Sequence, residues 1–192
     1  RAETAAMVMG HEFVAEVVEA GPGAESWTPG TRVTSVPVLI DPSSPNGMTA
    51  IGYSTVYPGA YGQYVLMSGP MLLRVPDGLA DTTAATTEPC AVGLHAARQA
   101  EMKPGESAIV MGAGPIGLMT LIWLKKEGVA HVTVSDYAPT RRELAAKLGV
   151  RVYTVGMGTP EGSIVKVDGW SMRTRLDEEA LQKVASTTLG EY

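Results

Sequence analysis

SAIVMGAGPIGLMTLIWLKKEGVAHVTVSD, residues Ser107 to Asp136, decides how the rest of the chain is read. A short apolar run, Ala108 to Met111, leads through a glycine turn into the apolar helical segment Ile116 to Lys126. A second run, Val132 to Ser135, follows and ends on an acid. Strand, turn, helix and strand in this order form one parallel βαβ unit. Each residue type has a physical task if the turn cradles a dinucleotide. Gly112 makes the tight turn off the strand, Gly114 keeps a Cβ away from an approaching pyrophosphate, and Gly117 lets helix and strand pack closely. Ala113, Pro115 and Ile116 complete the turn, and the N–H groups at the helix N-terminus face the phosphates. Asp136 lies 19 residues beyond Gly117, where a carboxylate accepts hydrogen bonds from both adenosine ribose hydroxyls. That position favours NAD, because a 2′-phosphate would meet a negative charge. Arg141 and Arg142 follow at the start of the next helix and are suited to lie over the adenine or to take a 2′-phosphate. Two basic residues there more often form a solvated face, and Arg141 is kept as a cofactor-binding candidate.

Composition limits what the rest can be. The 192 residues suffice for one large or two small domains, and an apolar fraction of 45% supports a proper core. A formal charge of −5 and a pI near 5.2 argue against a nucleic-acid or anionic-membrane partner. A single cysteine, Cys90, excludes an intrachain disulfide and a cysteine-only structural zinc site. Arg1 to Met9 has no signal-peptide pattern and no apolar run is long enough to span a bilayer, so a soluble cytoplasmic protein is expected. The first residue is Arg1 rather than Met, which reads as a fragment.

Upstream of the βαβ unit the chain reads as irregular β structure. In Met7 to Val18, MVMGHEFVAEVV, Phe13, Ala15 and Val17 share one face and Val14, Glu16 and Val18 the other, as in a half-buried strand. Further strands are expected at Thr31 to Val36, Tyr61 to Met67 and Leu72 to Val75, with loops across the Pro- and Gly-rich Pro37 to Gly62. The chemical candidate here is His11-Glu12, after Gly10. Neighbours on a strand point to opposite faces, so the pair binds one ion together only where the chain bends, and Gly10 permits the bend. A core histidine satisfied by its neighbours is the competing reading.

TTEPCAVGLHAA, Thr86 to Ala97, opens a helix with Pro89 in its first turn. It carries three potential ligands, Glu88, Cys90 and His95, which cannot all serve one ion. Glu88 and His95 share a face but lie about 10 Å apart along the axis, and Cys90 is turned from Glu88 by about 200°. Only one can join His11, and Glu88 at the helix start is best placed. Cys90 reads as a small buried hydrophobe, His95 as a packing residue, and His131 as an exposed residue at a strand start.

Taken in order, GHEFVAEVVEAG (Gly10 to Gly21), PGTRV (Pro29 to Val33), PGAYGQYV (Pro58 to Val65), LLRVPDGL (Leu72 to Leu79), EPCAVGLHA (Glu88 to Ala96) and the GAGPIG turn with Asp136 resemble the zinc-dependent medium-chain alcohol dehydrogenase family. The resemblance covers about Met7 to Leu148. It implies an α/β protein in which a partial GroES-like β domain (1–85) precedes the first half of a Rossmann-type parallel α/β unit (86–149). It further implies Zn²⁺ held by His11, with Glu12 as ligand or neighbour and Glu88 in the third position, as in the polyol-dehydrogenase branch. The implied activity is hydride transfer between the carbon of a small alcohol or polyol and NAD, with zinc polarising the oxygen. No catalytic residue beyond the metal ligands is assigned. The family's upstream cysteine ligand and the adjacent Ser or Thr of its proton relay have no counterpart here. The four-cysteine structural lobe is also absent, and Pro37 to Tyr57 stands in its place. A homo-oligomer accords with the family's habit.

The remaining residues, 150–192, resemble instead the C-terminal part of a von Willebrand factor A domain, on VYTVGMGTPEG and LDEEALQKVA. Strands are expected at Val150 to Val155 and Ile164 to Asp168 with a loop between them. A helix is expected at Asp177 to Thr187, with Leu181 and Val184 turned inward. The A-domain's metal-binding motif is absent from this piece. The alternative to a dehydrogenase is therefore a non-catalytic chimera or interaction module that keeps at most an ADP-half binding site.

Overall fold

The computed structural model describes residues 7–53, 55–149, 161–167, 170–174 and 178–187. The chain divides into two compact units, Arg1–Pro89 and Cys90–Tyr192.

In the first unit, strands β1 (Ala15–Glu16), β2 (Arg32–Ser35) and β5 (Leu72–Arg74) form an antiparallel sheet in the order β1-β2-β5, with Ala15 opposite Val33 and Val33 opposite Arg74. Between them in sequence, β3 (Val38–Ile40) and β4 (Met48–Ala50) pair as an antiparallel hairpin. Sequence reading assigns this stretch to loops, because Pro37, Pro42, Pro45 and Gly47 punctuate it and three-residue strands are too short to show a period. The hairpin's register is supported by one side chain. The Asp41 carboxylate accepts hydrogen bonds from the Ser43 amide at 3.0 Å, the Ser43 hydroxyl at 2.6 Å and the Thr49 hydroxyl at 2.8 Å. Those donors hold its pKa below the ordinary carboxylate value. Phe13, Leu39 and Ile51 form the buried core, with Ala15, Tyr57, Ala60, Val65 and Met67 packed against it.

Tyr61 to Met67, expected as a strand, is not one. It keeps the alternation of a strand, with Tyr64 and Leu66 exposed and Val65 and Met67 on the core, but no described strand lies beside it to complete a ladder. Gly62 to Met67 instead line a cavity of about 1030 Å³ together with Phe13 to Ala24. The expected strand from Met7 to Val18 likewise shrinks to the two residues of β1, extended by the Val17 amide donating to the Thr31 carbonyl at 2.9 Å. A short helix α1 (Asp81–Ala84) closes the unit, tied to β2 by the Arg32 guanidinium, which donates to the Asp81 carboxylate and the Leu79 carbonyl. Helix α2 (Thr87–Gln99) starts here and continues into the second unit.

The second unit contains β6 (Ser107–Met111), α3 (Pro115–Lys126), β7 (His131–Ser135) and α4 (Pro139–Lys147). Strands β6 and β7 are parallel, with Val110 opposite Val134, so Ser107 to Asp136 folds as the βαβ unit its pattern indicates. Leu121, Leu124, Val129, Val132, Val134, Ala97, Ala113 and Ala145 make its core. Gly93 of α2 lies against α3 so closely that a Cβ there would meet the Met119 Cβ at 2.5 Å. Further on, β8 (Ser163–Val167) and β9 (Trp170–Thr174) form an antiparallel hairpin, and α5 spans Glu178–Thr187. Strand β8 and helix α5 match expected elements, whereas β9 has no counterpart in the sequence reading. The expected strand Val150 to Val155 and the inward positions of Leu181 and Val184 lie outside the described residues. Among the described residues no helix is long and apolar enough to cross a membrane.

Candidate functional site

Among the described residues two groups carry chemistry, one in each unit. In the first, His11, Glu12 and Glu88 each offer one ligand atom, and the three atoms lie within 4.8 Å of one another. A strand would send His11 and Glu12 to opposite faces, but neither residue is in one. Gly10, at φ 100°, bends the chain just before them. The bend is held from below by backbone: the Gly59 amide donates to the Val8 carbonyl at 2.7 Å, the Ala60 amide to Gly10 at 2.9 Å and the Tyr61 amide to Met9 at 3.0 Å. This crossing leaves no room for side chains. A Cβ at Gly59 would meet the Gly10 and Met9 carbonyl oxygens at 2.5 Å, and one at Gly10 would meet the Tyr61 ring at 2.7 Å. PGAYG thus grips GHE from behind, and the first turn of α2 brings Glu88 to the same place.

One imidazole nitrogen and two carboxylate oxygens suit a zinc ion, whose nitrogen and oxygen ligands sit about 2.0–2.2 Å away. Ligands at that radius in a tetrahedron are separated by about 3.4 Å, within the spread the three atoms show. His11 and Glu88 are half-buried and Glu12 is exposed. Cys90 and His95 do not join the group. Cys90 is half-buried and its carbonyl accepts a hydrogen bond from the Trp123 indole at 3.0 Å, while His95 is exposed, as is His131 at the start of β7. One residue that the sequence did not single out reaches the metal candidates: the Tyr53 hydroxyl lies 3.1 Å from His11 Nε2.

In the second unit, each glycine of the turn has its own constraint. Gly112 takes φ 105°, a region that costs residues with a Cβ dearly. Gly114 is the N-cap of α3, and a Cβ placed on it would meet nothing within 4 Å. The open space above Gly114 is where a pyrophosphate could come close to backbone. At Gly117 the reverse holds, since a Cβ would lie 1.9 Å from the Gly112 carbonyl oxygen. Pro115, at the first helical position, has no N–H to satisfy, and the Ile116 and Gly117 amides have no partner within the helix by its geometry. Those two amides and the helix dipole suit an anion.

Asp136 is positioned by the turn itself. Its Oδ2 accepts the Ala113 amide and its Oδ1 the Ala138 amide, both at 2.8 Å. Arg141 Nη1 stands 3.6 Å from Oδ2. Burial pushes the carboxyl pKa up, but the Ala138 and Ala113 amides and the Arg141 charge outweigh it and hold the group below its ordinary value. The Asp136 side chain is 8% exposed, with Oδ1 carrying one hydrogen bond and Oδ2 shared between the Ala113 amide and the Arg141 charge. The two arginines differ. Arg141 is 58% exposed, whereas Arg142, expected on a solvated face, is 4% exposed. Its Nη1 donates to the Asp136 carbonyl at 2.6 Å and the Tyr137 carbonyl at 2.8 Å, so it clamps the loop that carries Asp136. A signal for this was available, because helical spacing puts Arg142 on the same face as the buried Ala145.

Residues 1–77 match the alcohol dehydrogenase GroES-like domain. The (R,R)-butanediol dehydrogenase of Bacillus subtilis (strain 168) is 36% identical over 152 residues, covering 77% of this chain and 44% of that enzyme. The crystal structure of 2R,3R-butanediol dehydrogenase from Bacillus subtilis is similar at a TM-score of 0.68 and 35% identity, over 78% of this chain and 45% of that one. A structure from Sinorhizobium meliloti 1021, assigned as a zinc-binding dehydrogenase and bound to NADP, has a TM-score of 0.69 and 30% identity, over 78% of this chain and 46% of that one. The chain thus spans under half the length of these relatives. It carries the GroES-like domain of the alcohol dehydrogenases at its N-terminus and is a relative of the zinc-type medium-chain alcohol dehydrogenase family.

Proposed function

We propose that this chain serves a zinc- and NAD-dependent oxidoreductase of the alcohol or polyol dehydrogenase type, with a small alcohol or diol as substrate. The observation that carries the reading is the meeting of His11, Glu12 and Glu88 within 4.8 Å in a domain of the alcohol dehydrogenase type. Bound zinc supplies Lewis-acid polarisation of the substrate oxygen, and bound dinucleotide supplies the hydride acceptor. His11 and Glu88, half-buried, hold the ion from the protein side, while exposed Glu12 is the ligand closest to solvent. In the second unit the Gly112 to Gly117 turn, with Ala113, Pro115 and Ile116, holds the pyrophosphate on the Ile116 and Gly117 amides. Asp136 takes the ribose hydroxyls, and its charge disfavours a 2′-phosphate, which makes NAD the preferred form. Arg141, beside Asp136, is the candidate to cover the adenine.

The same reading places the enzyme in the cytoplasm as a homo-oligomer, with no nucleic-acid or membrane partner, in accord with its net charge of −5. A division at 1–85, 86–149 and 150–192 goes with it. The likeness of 150–192 to the end of a von Willebrand factor A domain is likewise a proposal, resting on the quoted sequence.

The test is metal content. Zinc-loaded protein, dialysed and analysed by atomic emission, should keep about one zinc per chain, and His11→Ala should keep none. Equal retention of zinc by His11→Ala would overturn the reading.

A further inference from the structure

We propose that Tyr53 is a gate on the metal centre, its hydroxyl bonded to His11 Nε2, the nitrogen we assign to the metal. The proposal rests on the metal reading above. An imidazole nitrogen has a single lone pair, in the ring plane. With the proton on Nδ1, Nε2 is the acceptor, and the Tyr53 O–H at 3.1 Å donates to it. A metal at about 2 Å from Nε2 needs that same lone pair, so phenol and ion exclude each other there.

Three observations make Tyr53 suited to yield. Its residue is 64% exposed, so the ring swings out without breaking a core. The backbone before Tyr53 is anchored, since Gly52 is buried at φ 75° with the Gly10 carbonyl 2.4 Å from where its Cβ would stand, so the movement is one of the Tyr53 side chain alone. Its ring rests on the His11 ring at 4.9 Å between centroids and 42° between planes, so it covers the imidazole as well as bonding it. Glu12 and Glu88, the other two ligand candidates, need no such displacement for an ion to approach them. Tyr53 therefore acts as a positioning residue: it fixes His11 as the Nδ1–H tautomer with Nε2 ready, and it sets a threshold that the ion has to exceed.

Tyr53→Phe separates these effects because it keeps the ring and removes only the hydroxyl. Zinc affinity is measured by competition with a chromophoric chelator on wild type and Tyr53→Phe. The variant should bind zinc about fivefold more tightly, the worth of one side-chain hydrogen bond lost by the metal-free state. ¹⁵N NMR of the metal-free histidines gives a readout independent of zinc. His11 Nε2 should shift in Tyr53→Phe, whereas His95 and His131 should not. Equal or weaker zinc binding by Tyr53→Phe would overturn the gate, including the case in which zinc sits on Nδ1 and Tyr53 supports it from behind. An unmoved His11 signal would overturn it as well. If neither protein binds zinc, the metal reading and the gate fall together, an outcome distinct from zinc bound with unchanged affinity.

Discussion

Replacing Gly117 by alanine and, separately, Gly114 by alanine pulls apart two tasks that a glycine turn performs. At Gly117 a Cβ would lie 1.9 Å from the Gly112 carbonyl oxygen and 3.5 Å from Val110 Cγ1. The first neighbour is backbone, fixed by the Gly112 amide donating to the Ser135 carbonyl at 2.7 Å, so it cannot give way without opening the β6–β7 end. Overpacking of this kind costs about 3 kcal/mol, from which the better helix propensity of alanine returns about 1 kcal/mol. Gly117→Ala should therefore lose about 2 kcal/mol in urea denaturation followed by tryptophan fluorescence. Gly114→Ala faces open space and an ordinary φ of −73°, so it should cost no more than about 1 kcal/mol, the N-cap preference. Its effect belongs to binding: the methyl group stands where the pyrophosphate approaches, and NADH affinity should fall at least tenfold. A Gly117→Ala protein as stable as wild type would refute the packing argument. A Gly114→Ala protein that binds NADH normally would refute the phosphate cradle.

The Asp136 carboxyl is held below its ordinary pKa in the folded chain, so its contribution is complete above the unfolded value near 4 and is lost as pH falls through the folded value. Acid denaturation below about pH 4 should show a component that Asp136→Asn removes, whereas an unchanged acid profile in that variant would count against the Ala113 and Ala138 hydrogen bonds. Arg142→Met removes the donor to two carbonyls and should cost about 3 kcal/mol in urea denaturation, with NADH binding weakened as the Asp136 loop loosens. Leu121, fully buried in the βαβ core, should cost about 2–5 kcal/mol when cut to alanine, read as a lower midpoint in the same assay.

How far the sequence alone reaches depends on where the constraint sits. The βαβ unit is legible because each of its parts answers to a local rule: apolar runs of strand length, a proline at the first helical position, and a glycine wherever backbone turns or approaches. The β3–β4 hairpin is not legible, since its register is held by the Asp41 side chain rather than by a hydrophobic period. Tyr61 to Met67 shows the opposite failure. Its alternation is real and visible in its burial, but a strand also needs a neighbour, and that is a tertiary fact. Sequence names His11, Glu12 and Glu88, but not their convergence. That depends on Gly10 bending over Gly59, two glycines 49 positions apart. Tyr53 carried no signal at all, lying in a loop with no period, whereas Arg142 had one in its spacing to Ala145.

The most direct measurement is a titration of the purified chain with NADH, followed by fluorescence and heat, alongside Gly114→Val and Asp136→Ala. The expected result is saturable binding at one site per chain, abolished by Gly114→Val and weakened at least tenfold by Asp136→Ala, with both variants still folded by circular dichroism. Absence of binding in the wild-type chain, or equal binding in all three proteins, would contradict the assignment of the Gly112 to Gly117 turn and Asp136 as the dinucleotide site.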